Sequence, residues 1–524
     1  MSILEDQIAE VARAESEVAA PPVPAGFAPG AAASRPSKFG RLLRAVFSFP
    51  VLLIAMVMTI VSIFAGGGVS DPDLFLHLRN AEYILTHRAI PLVDSYSFTV
   101  NGQPWINHEW LAEIPYYLAW HSLGLIGVKI LAVLLVQIIF GLVVYYCYQC
   151  SGNLKASTFV CALAVLLGVV SFGPRTLLFG YIYLLILLLI LERFRTAGRA
   201  PLWIIPPLFC LWINTHGSWS MGMVVFAIFI ASGLVTGQWG RIEARRWSPG
   251  QLRKLLVTLG ASIPPLFLNP FGYRLVTYPL SLASRGKLIV TYTEEWLSVN
   301  FHDPRGKIVF LVIVSLLLAA LAGRYRWKLH EVGFIVFGLY SGLTYVRFLF
   351  FLGIVLAPVL ASYLRFLPPY RREADKPALN ALILAAMIAL MFHSFPSPAE
   401  LKNSIDKDYP AEILPYLKAY PPSGPVFNDY LWGGYLGWHD REFKDFVDSR
   451  ADIFEYAGVL RDYFDVQGVR QPDKILDKYN IRYVLFPPDA PLSYLLMREP
   501  TWKPIFKGKV SVLFERANAA EATR

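Results

Sequence analysis

The chain has 524 residues, of which 55% are hydrophobic and 16% are charged, and its formal net charge is +10. Its apolar residues are gathered into segments long enough to cross a bilayer, which excludes a soluble globular protein and predicts an integral membrane protein. Its basic residues lie mostly between these segments, so the positive charge indicates membrane topology and contact with anionic lipids rather than nucleic-acid binding.

Residues 1–44 precede the first long apolar segment and predict a disordered, basic cytoplasmic tail. This tail is rich in Ala, Pro and Glu and carries Arg35, Lys38, Arg41 and Arg44. No cleavable signal peptide is predicted, because the first apolar segment is too long for one and is followed by no small-residue cleavage pattern. We therefore expect this segment to remain as a membrane helix.

Residues 45–395 contain about eleven apolar segments that predict transmembrane helices, with a first outer loop at 67–122 and a long outer loop at 270–307. The predicted spans are 45–65, 123–146, 156–172, 177–191, 202–213, 221–235, 255–268, 308–321, 332–345, 349–363 and 379–392. Every second loop after the tail is basic, and carries Lys155; Arg193, Arg195 and Arg199; Arg241, Arg245, Arg246, Arg253 and Lys254; Arg324, Arg326 and Lys328; and Arg365, Arg371 and Arg372. This alternation follows the positive-inside rule and predicts a cytoplasmic amino terminus and an odd number of spans.

Residues 396–524 have denser charge and shorter apolar runs, and they predict an extracytoplasmic α/β domain. The predicted elements are helices at 410–420, 454–464 and 472–478, strands at 425–428, 483–486 and 510–515, and a glycine-rich turn at 432–435. The domain contains no P-loop or dinucleotide-binding fingerprint, so nothing in it indicates nucleotide chemistry.

A cluster of charged and aromatic residues in this domain has two interpretations. The cluster comprises Trp432, Trp438, Asp445, Asp448, Arg450 and Asp452. Aromatic rings and carboxylates suit sugar recognition, since rings cover the apolar faces of pyranoses while carboxylates accept hydrogen bonds from hydroxyls. Alternatively, Asp448 and Arg450 form a structural pair and the nearby glycines serve a tight turn. We prefer the structural interpretation.

Polar residues frame the first outer loop. Asp71, Asp73 and His77 lie near its beginning, and His108 and Glu109 lie near its end. Carboxylates and imidazoles are costly to place at a bilayer edge, so this pattern favours chemistry on a lipid-borne substrate. The alternative is a solvated loop in which an Asp caps a helix.

Further polar residues fall on the same predicted outer face, at Arg175, His216, Glu295 and Arg347. The two arginines could hold a lipid phosphate or pyrophosphate by charge-assisted hydrogen bonds. Alternatively, each arginine extends to ordinary phospholipid headgroups. Their coincidence with carboxylates and histidines favours a site.

The chemistry that this set supports is transfer of a group from a lipid phosphate. Asp71 or Asp73 could take a proton from an acceptor hydroxyl or amine while cationic residues stabilise the departing phosphate. Alternatively, Asp71, Asp73 and Glu295 could bind a divalent cation such as Mg²⁺ or Mn²⁺. Sequence spacing does not choose between these routes.

Taken together, these features resemble the GT-C class of glycosyltransferases. They are the acidic pair after the first span, a helical first outer loop, basic residues at later outer helix ends, the long loop between the seventh and eighth spans, and the terminal α/β domain. More closely, the motifs look like those of a poorly characterised group of bacterial multispan membrane proteins placed near that class. These motifs are Asp71–Asp73 with His77, and residues 108–111, 174–175, 212–217, 269–272, 295–296, 347 and 432–436.

The resemblance implies an inverting transferase of the bacterial inner membrane that uses a polyprenyl-phosphate or polyprenyl-diphosphate sugar at the periplasmic face. Its acceptor would be a glycan, a lipid or a protein. The catalytic set would be Asp71, Asp73 and Glu109, and the substrate-binding set His77, His108, Arg175, His216, Glu295 and Arg347. Residues 431–435 read Leu-Trp-Gly-Gly-Tyr and lack the Trp-Trp-Asp-x-Gly motif of oligosaccharyltransferases, which disfavours asparagine-linked transfer.

Two other classes fit a multispan chain of this kind. A transporter or flippase of polyprenyl-linked substrates would have polar residues near the bilayer midplane and internal repeats, and neither is evident. A non-catalytic assembly protein for envelope glycoconjugates would need no acidic site, so the presence of Asp71, Asp73, His77 and Glu109 disfavours it.

Overall fold

The structure, a computed structural model, describes residues 38–69, 71–322 and 325–517. One compact unit ends at Val46 and the second begins at Phe47. Most of the predicted disordered tail lies outside the described residues. Its last residues form the helix Lys38–Val46, which corrects the prediction of disorder for this part. Phe39, Leu42 and Leu43 recur there at helical spacing between basic side chains, which is the pattern of an amphipathic helix.

Seven helices in the described part of the chain are long and apolar enough to cross a membrane. They are Lys38–Ala65, Trp110–Ser151, Leu154–Ser171, Leu177–Ala197, Pro304–Leu321, Val346–Phe366 and Pro377–Ser394. Three shorter apolar helices are Leu202–Ile213, Trp219–Ala231 and Leu329–Thr344. The predicted class, a helical multispan membrane protein with a C-terminal α/β domain, is confirmed, while the count of eleven spans stays a prediction.

One predicted span differs in its bounds. The segment 255–268 belongs to the helix Pro249–Ser262, which begins at a capping box formed by Ser248 and is followed by a 3₁₀ turn, Pro264–Phe267. The α-helix ends before two consecutive prolines, which lack the N–H group that a helix interior requires. This helix is therefore shorter than predicted and begins earlier.

In the described residues, the membrane part consists of α-helices and one small sheet. The α-helices, as bounded by their hydrogen bonds, are Phe49–Ala65, Leu74–His87, Trp110–Ser151, Leu154–Gly168, Leu177–Ala197, Ile205–Ile213, Trp219–Ala231, Pro249–Ser262, Tyr273–Arg285, Lys287–Tyr292, Pro304–Ala322, Leu329–Thr344, Leu349–Tyr363 and Pro377–Ser394. A small sheet has the order β1-β2-β3, with β1 at Gly237–Trp239, β2 at Ile242–Ala244 and β3 at Trp327–Lys328. The long helix Trp110–Ser151 is interrupted at Gly124, whose φ of 61° is a conformation that glycine adopts without steric cost. This break separates the end of the first outer loop from the membrane helix.

The C-terminal domain has a four-stranded sheet with helices around it. Its strands are β4 at Val426–Asn428, β5 at Tyr483–Phe486, β6 at Trp502–Lys507 and β7 at Val512–Arg516. The sheet order is β4-β5-β7-β6; β4 and β5 are parallel and the other pairs are antiparallel. Its helices are Pro398–Asp408, Leu414–Ala419, Gly433–His439, Ala451–Tyr456, Val459–Gln467, Pro472–Lys478 and Pro491–Leu496. The sequence patterns missed β6 and the first and last of these helices.

Two local predictions in this domain are wrong. The glycine-rich turn at 432–435 is instead the start of the helix Gly433–His439. A Cβ at Gly433 would collide with the Val447 carbonyl oxygen, so this glycine permits close packing of the helix rather than a turn. The predicted helix 454–464 is two helices, because Gly458 adopts a φ of 79° between them.

The first outer loop packs against the C-terminal domain. A buried apolar cluster joins Leu76 and Trp105 of the loop to Phe427 and Phe446 of the domain. Backbone hydrogen bonds add to this contact, since Phe98 N donates to the carbonyl oxygen of Asp445 at 3.1 Å. Loop and domain are therefore held together as the two sides of one cavity.

Candidate functional site

A cavity of about 1060 Å³ lies where the first outer loop, the long loop and the C-terminal domain meet. Of the nine residues predicted for the site, it is lined by Asp73, His77, His108, Glu109, Arg175, Glu295 and Arg347. Asp71 and His216 lie behind this lining and contact it through Arg175 and Glu109. The structure thus brings together all nine residues that the sequence indicated.

Two carboxylates and two arginines form a continuous chain of ion pairs in the cavity. The Arg175 Nε atom lies 2.8 Å from Asp71 Oδ2, and its Nη1 atom donates to Glu295 Oε2. Glu295 Oε1 lies 3.5 Å from Arg347 Nη1, and the Arg347 guanidinium covers the Trp296 ring at 4.4 Å. Burial opposes the charge of Arg175, but Asp71 and Glu295 outweigh it and raise the Arg175 pKa. Arg347 has the looser carboxylate contact and is the arginine more available to an anionic ligand.

The two neighbouring aspartates have different environments. Asp71 has a side chain only 5% exposed, which accepts hydrogen bonds from Asp73 N at 3.0 Å and from Arg175. Asp73 lines the cavity, and among the described residues no Lys, Arg or His side chain forms an ion pair with it; His77 and Arg175 act on it only from a longer distance. Burial and the charge of Asp71 raise the Asp73 pKa to about 7. A carboxyl group with this pKa is suited to general-base catalysis near neutral pH.

Glu109 is surrounded by hydrogen-bond donors. Its Oε1 atom accepts from Thr176 Oγ1 at 2.8 Å and lies 3.3 Å from His216 Nε2 and 3.6 Å from His108 Nε2. Its Oε2 atom lies 3.6 Å from His77 Nε2. Burial alone would raise the Glu109 pKa, but the histidines and Thr176 lower it to about 2. This carboxylate stays ionised and is therefore a poor proton acceptor.

His216 and His77 both lie beside Glu109, but His216 is neutral and His77 is positively charged. The backbone N–H of Ser218 donates to His216 Nδ1 at 2.9 Å, so the proton of a neutral His216 is on Nε2 and is donated to Glu109. Burial lowers the His216 pKa to about 3. For His77 the effect of burial is outweighed by the hydrogen bond to Glu113 at 3.0 Å and the charge of Glu109, which raise its pKa to about 10. His77 is therefore an imidazolium between two carboxylates.

Glu113 is a site residue that the sequence analysis missed. Its carboxylate is almost fully buried and accepts hydrogen bonds from Asn80 Nδ2 at 2.9 Å and Asn107 Nδ2 at 2.8 Å, besides its contact with His77. Glu113 lies four residues after Glu109, where a helix beginning in this segment places both side chains on one face. The four-residue spacing between Glu109 and Glu113 is the sequence signal that could have identified Glu113 as a site residue.

The C-terminal domain contributes a buried ion pair beside the cavity. Arg450 Nε lies 2.9 Å and 3.0 Å from the two carboxylate oxygens of Asp448, which is the structural pair proposed from the sequence. Arg450 Nη1 also lies 2.6 Å from Asp94 Oδ1 of the first outer loop. The guanidinium carbon is 4.8 Å from the centre of the Trp105 ring. Arg450 therefore joins the domain to the loop.

The alternative of a divalent cation held by Asp71, Asp73 and Glu295 does not fit this arrangement. Arg175 stands between Asp71 and Glu295 and forms an ion pair with each of them. Among the described residues, no group of three His, Cys, Asp or Glu side chains is placed to hold a metal ion. No catalytic step is therefore assigned to a metal.

Comparison with models of protein families finds no match, and comparison with curated proteins finds none either. Among solved structures, the chain is similar to ArnT from Cupriavidus metallidurans, whose crystal structure is bound to undecaprenyl phosphate. The sequence identity is 12% and the TM-score is 0.48, and the similarity covers 92% of this chain and 98% of that chain.

Proposed function

We propose that this protein is a membrane glycosyltransferase that moves a sugar from a polyprenyl-phosphate or polyprenyl-diphosphate donor to an acceptor outside the cytoplasm. The observation that carries this proposal is one cavity that holds a half-buried carboxyl group, Asp73, together with two arginines, Arg175 and Arg347. The carboxyl group is suited to accept a proton and the arginines are suited to bind a phosphate. The presence of both features in one cavity favours a transferase over a structural ion-pair network.

The donor phosphate would bind to the arginines. Planar guanidinium groups match phosphate oxygens with two hydrogen bonds each. Before the donor arrives, Glu295 bridges Arg175 and Arg347 and keeps both side chains in place. Because Arg347 is only 3.5 Å from its carboxylate and rests on Trp296, it can exchange that contact for the phosphate at low cost.

In the transfer step, the Asp73 carboxylate takes the proton of the acceptor hydroxyl. The freed oxygen electron pair forms the new bond to the anomeric carbon of the sugar. The bond between that carbon and the phosphate oxygen breaks, and its electron pair leaves with the phosphate, where the arginines stabilise the charge. The products are the glycosylated acceptor, the polyprenyl phosphate or polyprenyl diphosphate released from the respective donor, and protonated Asp73. A single displacement from the face opposite the phosphate inverts the anomeric configuration.

The histidine cluster has a different role in this scheme. Glu109, with its pKa near 2, is too weak a base to accept the proton and instead holds His108 and His216 in place. The positively charged His77 lies close enough to Asp73 to favour its ionised form. We therefore assign the base to Asp73 and a positioning role to Glu109.

The loop charges support an orientation in the membrane. By the positive-inside rule, we propose that the cavity and the C-terminal domain are periplasmic and the amino terminus cytoplasmic in a bacterial inner-membrane protein. A polyprenyl carrier at that face presents its phosphate at the depth where outer helix ends carry arginines.

Carrier binding provides the first test. Undecaprenyl phosphate, the ligand named for ArnT, is a suitable probe, and its affinity is measured for the full chain in nanodiscs. Substitution Arg347→Gln is expected to weaken binding at least about tenfold, because a charge-assisted contact to phosphate is lost. The control Arg274→Gln removes an exposed arginine outside the cavity and should leave the affinity unchanged. Equal affinities for wild type and both variants would contradict the assigned phosphate site.

The pH dependence of the reaction provides a second test. The base must be deprotonated, and burial and Asp71 raise the Asp73 pKa to about 7. We therefore expect kcat/KM to rise as the pH increases through about 7 and then to level off, since His77 stays protonated up to its pKa of about 10. Initial rates at limiting donor concentration measure this profile. A rate that is constant from about pH 5.5 to about pH 8.5 would exclude a base with this pKa.

A further inference from the structure

One side of the cavity is formed by the C-terminal domain and has no role in holding the donor. We call this side the C-terminal wall; it comprises Asp429, Tyr430, Ser449, Asp452, Tyr463 and Phe464. Asp429 is buried and Asp452 is half-buried, and in the described part of the chain neither forms an ion pair with Lys, Arg or His. Arg450 also lines this side, but it is paired with Asp94 and Asp448. The wall is therefore acidic, whereas Arg175 and Arg347 on the other side of the cavity are cationic.

The polar atoms of the C-terminal wall have unused hydrogen-bonding capacity. Asp452 Oδ2 accepts from the Tyr278 hydroxyl at 3.1 Å, and Asp429 Oδ1 accepts from Leu431 N at 2.9 Å. Asp429 Oδ2 has only a long contact of 3.4 Å with the Tyr463 hydroxyl. The Ser449 hydroxyl is buried and faces Asp73, where it favours the ionised carboxylate, so this group is already engaged with the proposed base. A ligand rich in hydroxyl groups would satisfy these atoms.

Aromatic rings lie beside these acceptors. Phe464 stacks on Tyr292 with ring centres 4.1 Å apart, and both residues line the cavity. Tyr430 and Tyr463 add two further rings with centres 6.0 Å apart. Rings that flank carboxylates offer an apolar surface for the C–H face of a sugar and acceptors for its hydroxyls.

Other acceptor chemistries fit the C-terminal wall less well. A phosphate-bearing acceptor would be repelled by Asp429 and Asp452, since like charges held close in a buried site disfavour each other. An alkyl chain would offer no hydrogen-bond donor to the remaining lone pairs of the two carboxyl groups, which is costly where they are shielded from water. A neutral carbohydrate meets both requirements.

Building on the function proposed above, we propose that the acceptor is a carbohydrate and that its sugar ring binds against the C-terminal wall. Its hydroxyls donate to Asp429 and Asp452, and its reacting hydroxyl loses a proton to Asp73 as the oxygen bonds to the anomeric carbon of the donor sugar. The phosphate leaves toward Arg175 and Arg347, away from the acidic wall.

Saturation-transfer NMR on the full chain in nanodiscs loaded with undecaprenyl phosphate tests this assignment. The probes are the neutral disaccharides cellobiose and N,N′-diacetylchitobiose, and a neutral serine-containing tripeptide represents a protein acceptor. At least one disaccharide is expected to bind, with its signal reduced at least about fivefold in Asp452→Asn and in Asp429→Asn. The control Asp473→Asn alters an exposed aspartate of the same domain outside the cavity and should behave as wild type.

Two outcomes overturn the assignment. The first is that the tripeptide binds while neither disaccharide does, or that no probe binds at all. The other is disaccharide binding that is the same in wild type and in both Asp→Asn variants. Undecaprenyl phosphate affinity, measured on the same samples, shows that each variant is folded and tests the donor site separately. Retained carrier binding without disaccharide binding contradicts only the acceptor assignment, whereas carrier binding that is insensitive to Arg347→Gln contradicts the proposed function itself.

Discussion

Replacement of Asp73 by asparagine is expected to reduce the transfer rate by about 10²–10⁴-fold, because the amide keeps the shape of the side chain but cannot take a proton. Binding of undecaprenyl phosphate should change little, since the phosphate contacts are assigned to Arg175 and Arg347. Initial rates at saturating donor, measured in proteoliposomes next to carrier affinity, separate these two effects.

Asp71→Asn is the matched comparison, because it removes a carboxylate two residues away. Asp71 forms an ion pair with Arg175 at 2.8 Å and does not line the cavity. We therefore expect this variant to weaken donor binding more than it slows the chemical step. Loss of turnover in Asp71→Asn together with a normal rate in Asp73→Asn would reverse the assignment of the base.

Substitution Arg450→Met is expected to lower the free energy of unfolding by about 3–5 kcal/mol, because it leaves two buried carboxylates without their cation. Asp94 and Asp448 are both fully buried, and Arg450 is the cation that pairs with each of them. Since Asp94 belongs to the first outer loop and Asp448 to the C-terminal domain, the lost pair also loosens the contact between them. Thermal unfolding of the full chain in detergent measures the change.

Arg441→Met is the control for this stability test. Arg441 pairs with Glu82 across the same junction, but both side chains are at least one-third exposed. Exposed ion pairs contribute little to stability, so we expect a much smaller change in the unfolding midpoint. If both variants unfolded at the same temperature as wild type, the buried pair would have no part in holding the domain to the loop.

The membrane part could be predicted well from the sequence, because a chain in a bilayer must satisfy its backbone hydrogen bonds within each helix. Apolar run length therefore fixes the positions of the helices, as it does for Leu177–Ala197 and Leu349–Tyr363. The bounds failed where a specific residue ended a helix, as Pro264 does after Pro249–Ser262. Strands β4 and β5 were predictable because they are short, buried and rich in apolar residues.

The sequence was sufficient to predict which residues form the site but not what each of them does. Placing polar loops on one membrane face was enough to bring Asp71, Arg175 and Glu295 together. Which aspartate meets the arginine and which faces the cavity depends on contacts between segments about 100 residues or more apart in the chain, and no local pattern encodes these. For the same reason Asp429 of the C-terminal wall was not recognised, since its neighbours in space are distant in sequence.

Because the cavity is lined by segments from both the membrane part and the C-terminal domain, it is completed late in biosynthesis. Asp73, Arg175 and Arg347 emerge from the ribosome before Asp429 and the rest of the C-terminal wall. A nascent chain with all its membrane helices inserted therefore has the proposed base and phosphate ligands but lacks one side of the pocket. Domains fold in the order of their synthesis, so this cavity is completed only after the last domain has folded onto the first outer loop. A translation product stopped before that point would expose these charged residues to water without completing the cavity.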